Sequence, residues 1–599
     1  MWGMRALVVL GLTGCNSILG IGELHTAASD AAVPDVPDAS TTPGEVPEVQ
    51  GSAADVFHVT GTTTALKSRD LTTTTLQAYV PDDSATGFRI IDIDGKADGT
   101  FTIPGVPAGP YMLLVLSPGV TTPAFYQTSA RTLDLGVNRL GRPDAQISAR
   151  STLATIHLGT QSAVTEDDNF RAVSFGAGLG ASLAPSTPLD MTPIDVELEW
   201  QGLPLLDAAK GDRLHVLRLR RDDSLPGQNQ ESVVDAFTAD LTLVDGQPSG
   251  ITGQPVVPTP RSVLVSMDPT TFLQGLDVPS HFPIDMSARL RSSQYGGASF
   301  GISTLTFRRT FATNLEFTQV AVPYLDPFPE DVPRSVLSSA GLEWRYASRG
   351  THRAVSYFSS AFDRVSLASF FSVAATVAPV HAITVGGVDA SRPGAVPFDG
   401  MHPVTVSWTP TVAVTHYTVT VTRLSDDSDA PVATFETATS TIAMPASLFQ
   451  VGGAYFLSVV ALRDPTSDFA GGVLVRIGFP TAAREAVTAR LLFAASCGNG
   501  VMDAPYEECD SSGAATVDCN ADCSKPVCGD AIFNAATKEN CDDGGASLVC
   551  NADCTPASCG DGKINTVRGE VCDLGADNGM PGKCCTATCK LVSPTTPCP

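Results

Sequence analysis

Basic residues are scarce in this sequence. The 37 Lys and Arg face 63 Asp and Glu, a formal net charge of −26 with a pI near 4.6. Such a field repels phosphate backbones and excludes nucleic acid as a partner. The acidity keeps an exposed protein soluble, and no cationic partner is inferred from it. Aromatic residues are few at 7%, whereas Thr, Val, Ser, Gly and Pro abound. That mixture suits strands and turns, and long helical periodicity is missing. Histidine occurs 9 times, scattered, with no His-Glu-x-x-His pair and none beyond His416. Each histidine is expected as a surface or strand residue and not as a metal ligand.

Long apolar runs are missing too. Ala6-Leu7-Val8-Val9-Leu10-Gly11-Leu12 follows a single positive charge, Arg5. It reads as an export signal over residues 1–14, too short to span a bilayer as a permanent helix. Val365 to Val388 is poor in charge but contains Pro379, His381 and several Ser and Thr. A buried strand pair is expected there, not a membrane span.

Cysteine is absent from residues 16–496. The chain has Cys15 and then Cys497, Cys509, Cys519, Cys523, Cys528, Cys541, Cys550, Cys554, Cys559, Cys572, Cys584, Cys585, Cys589 and Cys598. The C-terminal group repeats with a period of about 31 residues, a tandem array of small units. Cys497-Gly498-Asn499-Gly500 returns as Cys528-Gly529-Asp530 and Cys559-Gly560-Asp561-Gly562. Glu508-Cys509-Asp510, Cys541-Asp542 and Cys572-Asp573 also correspond, as do Cys519-Asn520-Ala521-Asp522-Cys523, Cys550-Asn551-Ala552-Asp553-Cys554 and Cys585-Thr586-Ala587-Thr588-Cys589. Units this short cannot bury enough apolar surface to fold alone, so disulfides are expected, at roughly 2–5 kcal/mol per bridge. Four cysteines allow three connectivities, which sequence does not distinguish. Zinc would need sites built from cysteine alone, and export favours oxidation. The recurring Asn and Asp are expected as turn formers. No cofactor is expected, calcium at those oxygens being the alternative left open.

These units resemble the Cys-rich tandem repeats of myxobacterial surface and secreted proteins. The resemblance implies an extracytoplasmic, disulfide-bonded module without catalytic activity. Many such proteins continue into a membrane-spanning sorting tail. Here the sequence stops at Pro599 without one, so that anchoring route is not expected. Leu12-Thr13-Gly14-Cys15 resembles a bacterial lipobox. That resemblance implies diacylglycerol on the Cys15 thiol, cleavage before it and acylation of the new amino group. Two or three acyl chains anchor stably. Asn16 in place of Asp then implies the outer membrane. Residues 15–51 carry Asp30, Asp35, Asp38, Glu45 and Glu48 among prolines, with no Lys or Arg. Such a composition is expected to form a disordered tether.

Residues 52–120 hold the next unit. Thr100-Phe101-Thr102-Ile103 alternates as a strand, Pro104 to Pro110 forces a tight connection, and Tyr111 to Leu116 is the next strand. The stretch resembles the prealbumin-like carboxypeptidase regulatory-like domain, which implies a spacer or binding scaffold. Residues 121–375 match no family read from the residues, and one or two β-sandwiches are expected. Ile194 to Trp200 alternates apolar and acidic, as in a sheet with one wet face, and Leu214 to Arg220 and Asp240 to Val244 read similarly. Residues 376–482 resemble a fibronectin type III-like sandwich. Val404 to Trp408 and His416 to Val421 supply strands, and Leu448 and Gly452-Gly453-Ala454-Tyr455 approach a tyrosine corner. Residues 483–496 are expected as a linker before the repeats at 497–599.

Two motifs fail on context. Gly297-Ala298-Ser299-Phe300-Gly301 satisfies Gly-x-Ser-x-Gly but runs into a strand pattern where a nucleophile elbow needs a helix. Gly176-Ala177-Gly178-Leu179-Gly180-Ala181 imitates a dinucleotide loop but leads to Pro185. Asp92-Ile93-Asp94-Gly95 lacks the later ligands of a calcium loop.

The expectation is an all-β, multidomain string of β-sandwiches ending in a disulfide-rich repeat array. Its role would be non-enzymatic: binding, adhesion or display at the cell surface or envelope. Its partners would be the membrane, through the N-terminal lipid, and an unidentified protein or glycan. Two alternatives stay open. One is a surface hydrolase acting on glycans or peptides from a site in 121–375. The other is a periplasm-facing envelope scaffold.

Overall fold

The computed structural model describes residues 48–592 except 61–62, 160–162, 190–192, 225–227, 275–283, 292–302, 312–316, 331, 348–353, 393, 425–428, 476–480, 495–501, 503–507 and 512–513. Among the described residues the regular secondary structure is nearly all strand, in several sheets, with a disulfide-rich C-terminal region. No helix among the described residues is long and apolar enough to cross a membrane. The export signal, Cys15, nearly all of the tether and the Gly-x-Ser-x-Gly string lie outside the described residues.

The first sandwich contains β1 (Val49–Ser52), β2 (Ala54–Thr60), β3 (Thr63–Ser68), β4 (Thr75–Pro81), β5 (Phe88–Ile93), β6 (Thr100–Ile103), β7 (Tyr111–Leu116), β8 (Ala124–Thr128), β9 (Thr132–Asp134) and β10 (Asn138–Leu140). One layer is β6–β1–β9 continued by β10–β2–β3, and the other is β5–β4–β7–β8. The expected Thr100–Ile103 strand buries Phe101 and Ile103, and Gly105 and Gly109 turn the chain at positive φ. Phe101 lies flat over Gly51, where a Cβ would come within 2.0 Å of its ring. The sandwich reaches beyond 52–120 at both ends. Val49 on one side, and Leu133 and Leu135 on the other, fill its core.

The second sandwich contains β11 (Leu153–Leu158), β12 (Asp168–Ser174), β13 (Leu179–Pro185), β14 (Ile194–Glu199), β15 (Arg213–Asp222), β16 (Gln228–Asp240) and β17 (Ser249–Gly253). Strand β13 bends to pair with β12 in one sheet and β14 in the other. Ile194, Val196 and Trp200 are buried and Glu199 is exposed, as the alternation requires. Strand β15 differs from its expected single wet face. Leu214, Val216, Leu217 and Leu219 are all buried. Its second face is covered by a small cluster that includes Phe328 from the next sandwich. On that strand Arg218 is buried between Asp235 and Asp168. Leu241 to Val244, expected as strand, is irregular, although Leu241 and Leu243 are buried.

The third sandwich contains β18 (Thr259–Met267), a helical turn (Pro269–Leu273), β19 (Ile284–Arg291), β20 (Ser303–Phe311), β21 (Thr318–Asp326), β22 (Ser335–Ala347), β23 (Ala354–Ser366) and β24 (Phe370–Val373). The fourth contains β25 (His381–Val385), β26 (Val388–Asp389), β27 (Gly394–Pro397), β28 (Val404–Thr409), β29 (His416–Leu424), β30 (Ala430–Thr437), β31 (Thr441–Met444), β32 (Gly453–Arg463), β33 (Thr481–Val487) and β34 (Leu491–Ala494). Val365 to Val388 is therefore not a strand pair. Strand β24 pairs with β18, and β25 pairs with β26 and β28 in a different sheet. Residues 483–494 are not a linker either. Leu491 and Phe493 are fully buried and complete the fourth core. The tyrosine corner forms: the Gln450 N–H donates to the Tyr455 hydroxyl at 2.9 Å.

The four sandwiches are joined edge to edge. Strand β8 of the first runs parallel to β30 of the fourth, with Phe125 stacked on Phe435 at 4.7 Å between centroids. Strand β33 of the fourth pairs with β23 of the third, and β20 of the third pairs with β16 of the second. Exposed strand edges invite aggregation, and pairing them removes the hazard.

Candidate functional site

The tail cysteines are brought together in nested pairs. Cys528–Cys554 encloses Cys541–Cys550, and Cys559–Cys589 encloses Cys572–Cys585. In the first unit Cys509 pairs with Cys519. Cys523 and Cys584 are also disulfide-bonded, with partners outside the described residues, where Cys497 and Cys598 lie. In the second unit the order is first with fourth and second with third, and the third unit keeps the same two nested bridges with Cys584 inserted. It repeats with a shared backbone, since Cys523, Cys554 and Cys589 are all left-handed, with φ of 61°, 60° and 57°.

The Asn and Asp oxygens of the repeats serve the turns. Asp542 accepts the N–H groups of Gly529 at 2.8 Å and Ala531 at 3.0 Å. Asp573 accepts those of Gly560 and Gly575, both at 2.7 Å. Asn520 donates to Asp530 of the following unit at 2.9 Å, and Asn551 donates to Asp561 of the unit after that at 3.0 Å. Each unit is thus completed by its neighbour. Glu570, Asp573 and Cys589 lie within metal-ligand reach of one another, but the Cys589 sulfur is bound to Cys559 and cannot act as a thiolate.

A cleft of about 720 Å³ lies between the first and second sandwiches. It exists because the two approach closely at Gly141 and Gly178. A Cβ on Gly178 would meet the Leu140 carbonyl oxygen at 2.2 Å. The false dinucleotide loop therefore serves as the turn into β13 and as the contact between sandwiches. On the cleft side, register places Asp55 of β2 opposite Lys67 of β3, and Phe57 opposite Arg139 of β10, so these residues share one sheet face. Asp55 accepts from Arg69 at 2.6 Å and from Arg139 at 2.5 Å. Burial works to raise its pKa, yet the two guanidiniums outweigh that and hold it below its ordinary value. Lys67 donates to the Pro143 carbonyl at 2.6 Å. Arg142 holds Asp212 and Asp144, each at 2.9 Å. Val115, Val120, Ile147, Leu179, Leu203 and Val475 supply apolar wall.

None of these cations was singled out from the sequence. The available signal was modest: Lys67 and Arg69, then Arg139 and Arg142, in a chain poor in bases. A second groove, of about 610 Å³, lies on the fourth sandwich beside Gly386 and Gly387. There Asp399 is held well below its ordinary pKa by the backbone N–H groups of His402 and Met401 and by the His402 ring. The Thr384 and Ser407 hydroxyls bond each other at 2.7 Å.

No family model matches the chain, and no curated protein matches it. Among solved structures, a leucine-rich repeat protein from Bacteroides thetaiotaomicron is 10% identical with a TM-score of 0.10; the match covers 37% of this chain and 25% of that one. The FN1–FN3 domains of chicken CNTN1 are 9% identical with a TM-score of 0.13, over 74% of this chain and 99% of that one. A Ca2+-stabilized adhesin from an Antarctic bacterium is 12% identical with a TM-score of 0.11, over 74% and 99%. Superposition at these TM-scores establishes no shared fold. The all-β sandwich architecture of this chain rests on its own strands, registers and cores.

Proposed function

We propose that the protein is a lipid-anchored, extracytoplasmic binding protein of the cell envelope, with a non-enzymatic role in surface attachment or display. The observation that carries this reading is the nested disulfide array. Bridges of this density persist in oxidising compartments. The lipobox resemblance at Cys15 and the acidic tether over 15–51 supply a route to the membrane and a spacer from it. The edge-joined sandwiches then form the body, which presents its cleft at a distance from the lipid, and the repeats form the far end.

Fractionation tests the anchor. Cys15→Ala should move the protein from membranes to the soluble fraction, and continued tight membrane association would defeat the lipobox reading. Protease treatment of intact cells tests the compartment face. Release of peptides from the sandwiches would place the body outside. Digestion only after the outer membrane is opened would favour the periplasm-facing scaffold.

A further inference from the structure

The cleft between the first and second sandwiches runs against the charge of the chain. Around it, Lys67, Arg69, Arg139, Arg142 and Lys210 face the carboxylates Asp55, Asp144 and Asp212. Among the described residues, Asp55 is the carboxylate that serves both Arg69 and Arg139, and Lys67 reaches a carbonyl and no carboxylate. Five cations against three carboxylates leave two positive charges uncompensated, in a chain of net charge −26. No Asp or Glu is among the described residues that line the cleft. Arg69 Nε is buried and has no hydrogen-bond partner among the described residues. Buried donors normally find an acceptor.

Beside the cations runs apolar surface that the fold leaves open. Val120 is 46% exposed and Ile147 59% exposed. A volume of about 720 Å³ is of the size that takes a small organic ligand. We propose that this cleft binds an amphipathic phosphate monoester. Lys67, Arg69 and Arg139 would meet its phosphate, and Val120, Ile147 and Leu203 would lie along its apolar body. A phosphate monoester carries a charge between −1.5 and −2 at neutral pH, which matches the two uncompensated cations. The proposal gives the envelope-binding role a ligand class and rests on that reading. Its test uses purified protein, so a negative result leaves the anchor and compartment experiments untouched.

The experiment is calorimetric titration of the full chain with octyl phosphate below its micellar concentration, with inorganic phosphate and octyl glucoside as comparisons. Octyl phosphate should bind at least about tenfold more tightly than either, because only it uses both the cations and the apolar wall. Lys67→Ala and Val120→Asp lie at exposed positions and should each weaken it by about tenfold without changing the unfolding temperature. Octyl glucoside binding as tightly as octyl phosphate would overturn the proposal, as would a Lys67→Ala protein of unchanged affinity.

Discussion

Arg490 and Asp522 form a buried ion pair where the first Cys-rich unit packs on the fourth sandwich. Their side chains are only 4% and 2% exposed. Arg490 sits in the turn between β33 and β34, and Asp522 belongs to the Cys-Asn-Ala-Asp-Cys words of the repeat. In the second unit the equivalent Asp553 pairs with Lys563 of the third. The same position of the repeat therefore grips either the next unit or the body.

Removing one partner of a buried pair strands the other, at about 3–5 kcal/mol. Arg490→Ala should accordingly loosen the tail while leaving the sandwich cores intact. The measurement is limited proteolysis. Cleavage between Ala494 and Glu508 should become faster in the variant, with the fragments before and after it remaining resistant. Unchanged cleavage there would mean that the tail is held by other contacts.

The nested pairing extends by the repeat rule to cysteines outside the described residues. Cys497 should pair with Cys523, and Cys584 should then pair with Cys598. Peptide mapping without reduction should find both bridges and no free thiol. Within a unit the outer bridge should matter more than the inner one. The separations are 26 residues for Cys528–Cys554 and 9 for Cys541–Cys550. Loop-closure entropy then gives about 3.5 and about 2.6 kcal/mol respectively. Paired Cys→Ala variants compared by chemical unfolding would show the order.

A buried polar group at the seam of the first and fourth sandwiches should make stability fall with rising pH. Glu436 on β30 is buried opposite Tyr126 on β8, takes hydrogen bonds from the Thr418 hydroxyl, and lies 3.8 Å from the His416 ring. Burial pushes Glu436 up from 4.5 to about 8 and His416 down from 6.5 to about 4. The folded protein keeps a proton on Glu436 that the unfolded chain releases near 4.5. Its contribution is therefore complete at low pH and lost as pH rises through about 8. His416 contributes in the opposite sense, and its contribution is lost as pH falls from 6.5 toward 4. Of these two groups, Glu436 is the one that still changes above 6.5. Between pH 6.5 and 8 the protein should lose about 2 kcal/mol, and Glu436→Gln should flatten that slope. Thermal unfolding at the two pH values checks it.

Tyr455→Phe should destabilise the fourth sandwich by about 1–3 kcal/mol, because the Gln450 N–H loses its acceptor inside the structure. Phe449 and Phe493 pack around the same ring and would hold the remaining phenyl in place. Urea unfolding of the variant gives the value. No loss would mean that the corner bond is replaced by solvent.

Local pattern carried much of this fold. Thr100–Ile103 and Tyr111–Leu116 are strands as written, Ile194 to Trp200 alternates as written, and the period of the tail became its pairing. What was not legible depends on partners far away in the chain. Strand β15 looks half-wet in isolation, and only Phe328 arriving from another sandwich makes Leu217 and Leu219 core. Leu491 and Phe493 read as linker because their strand is short and pairs with Gly394–Pro397 and Gly453–Tyr455. The cleft was hidden for the same reason. Lys67, Arg139 and Leu203 meet through register and close glycine contact, which no window of sequence contains.

The seam between β8 and β30 also decides how the protein would take a mechanical pull. The described chain enters at β1 in the first sandwich, and the tail leaves from β34 in the fourth. These two sandwiches are zipped directly to each other, and the Thr128 hydroxyl and the Asp134 N–H add bonds to Phe469 and Gly472. Tension applied between the start of β1 and the tail passes across that seam. The second and third sandwiches stay off the line of force, so the cleft shared with the second can keep its shape while the ends are under strain.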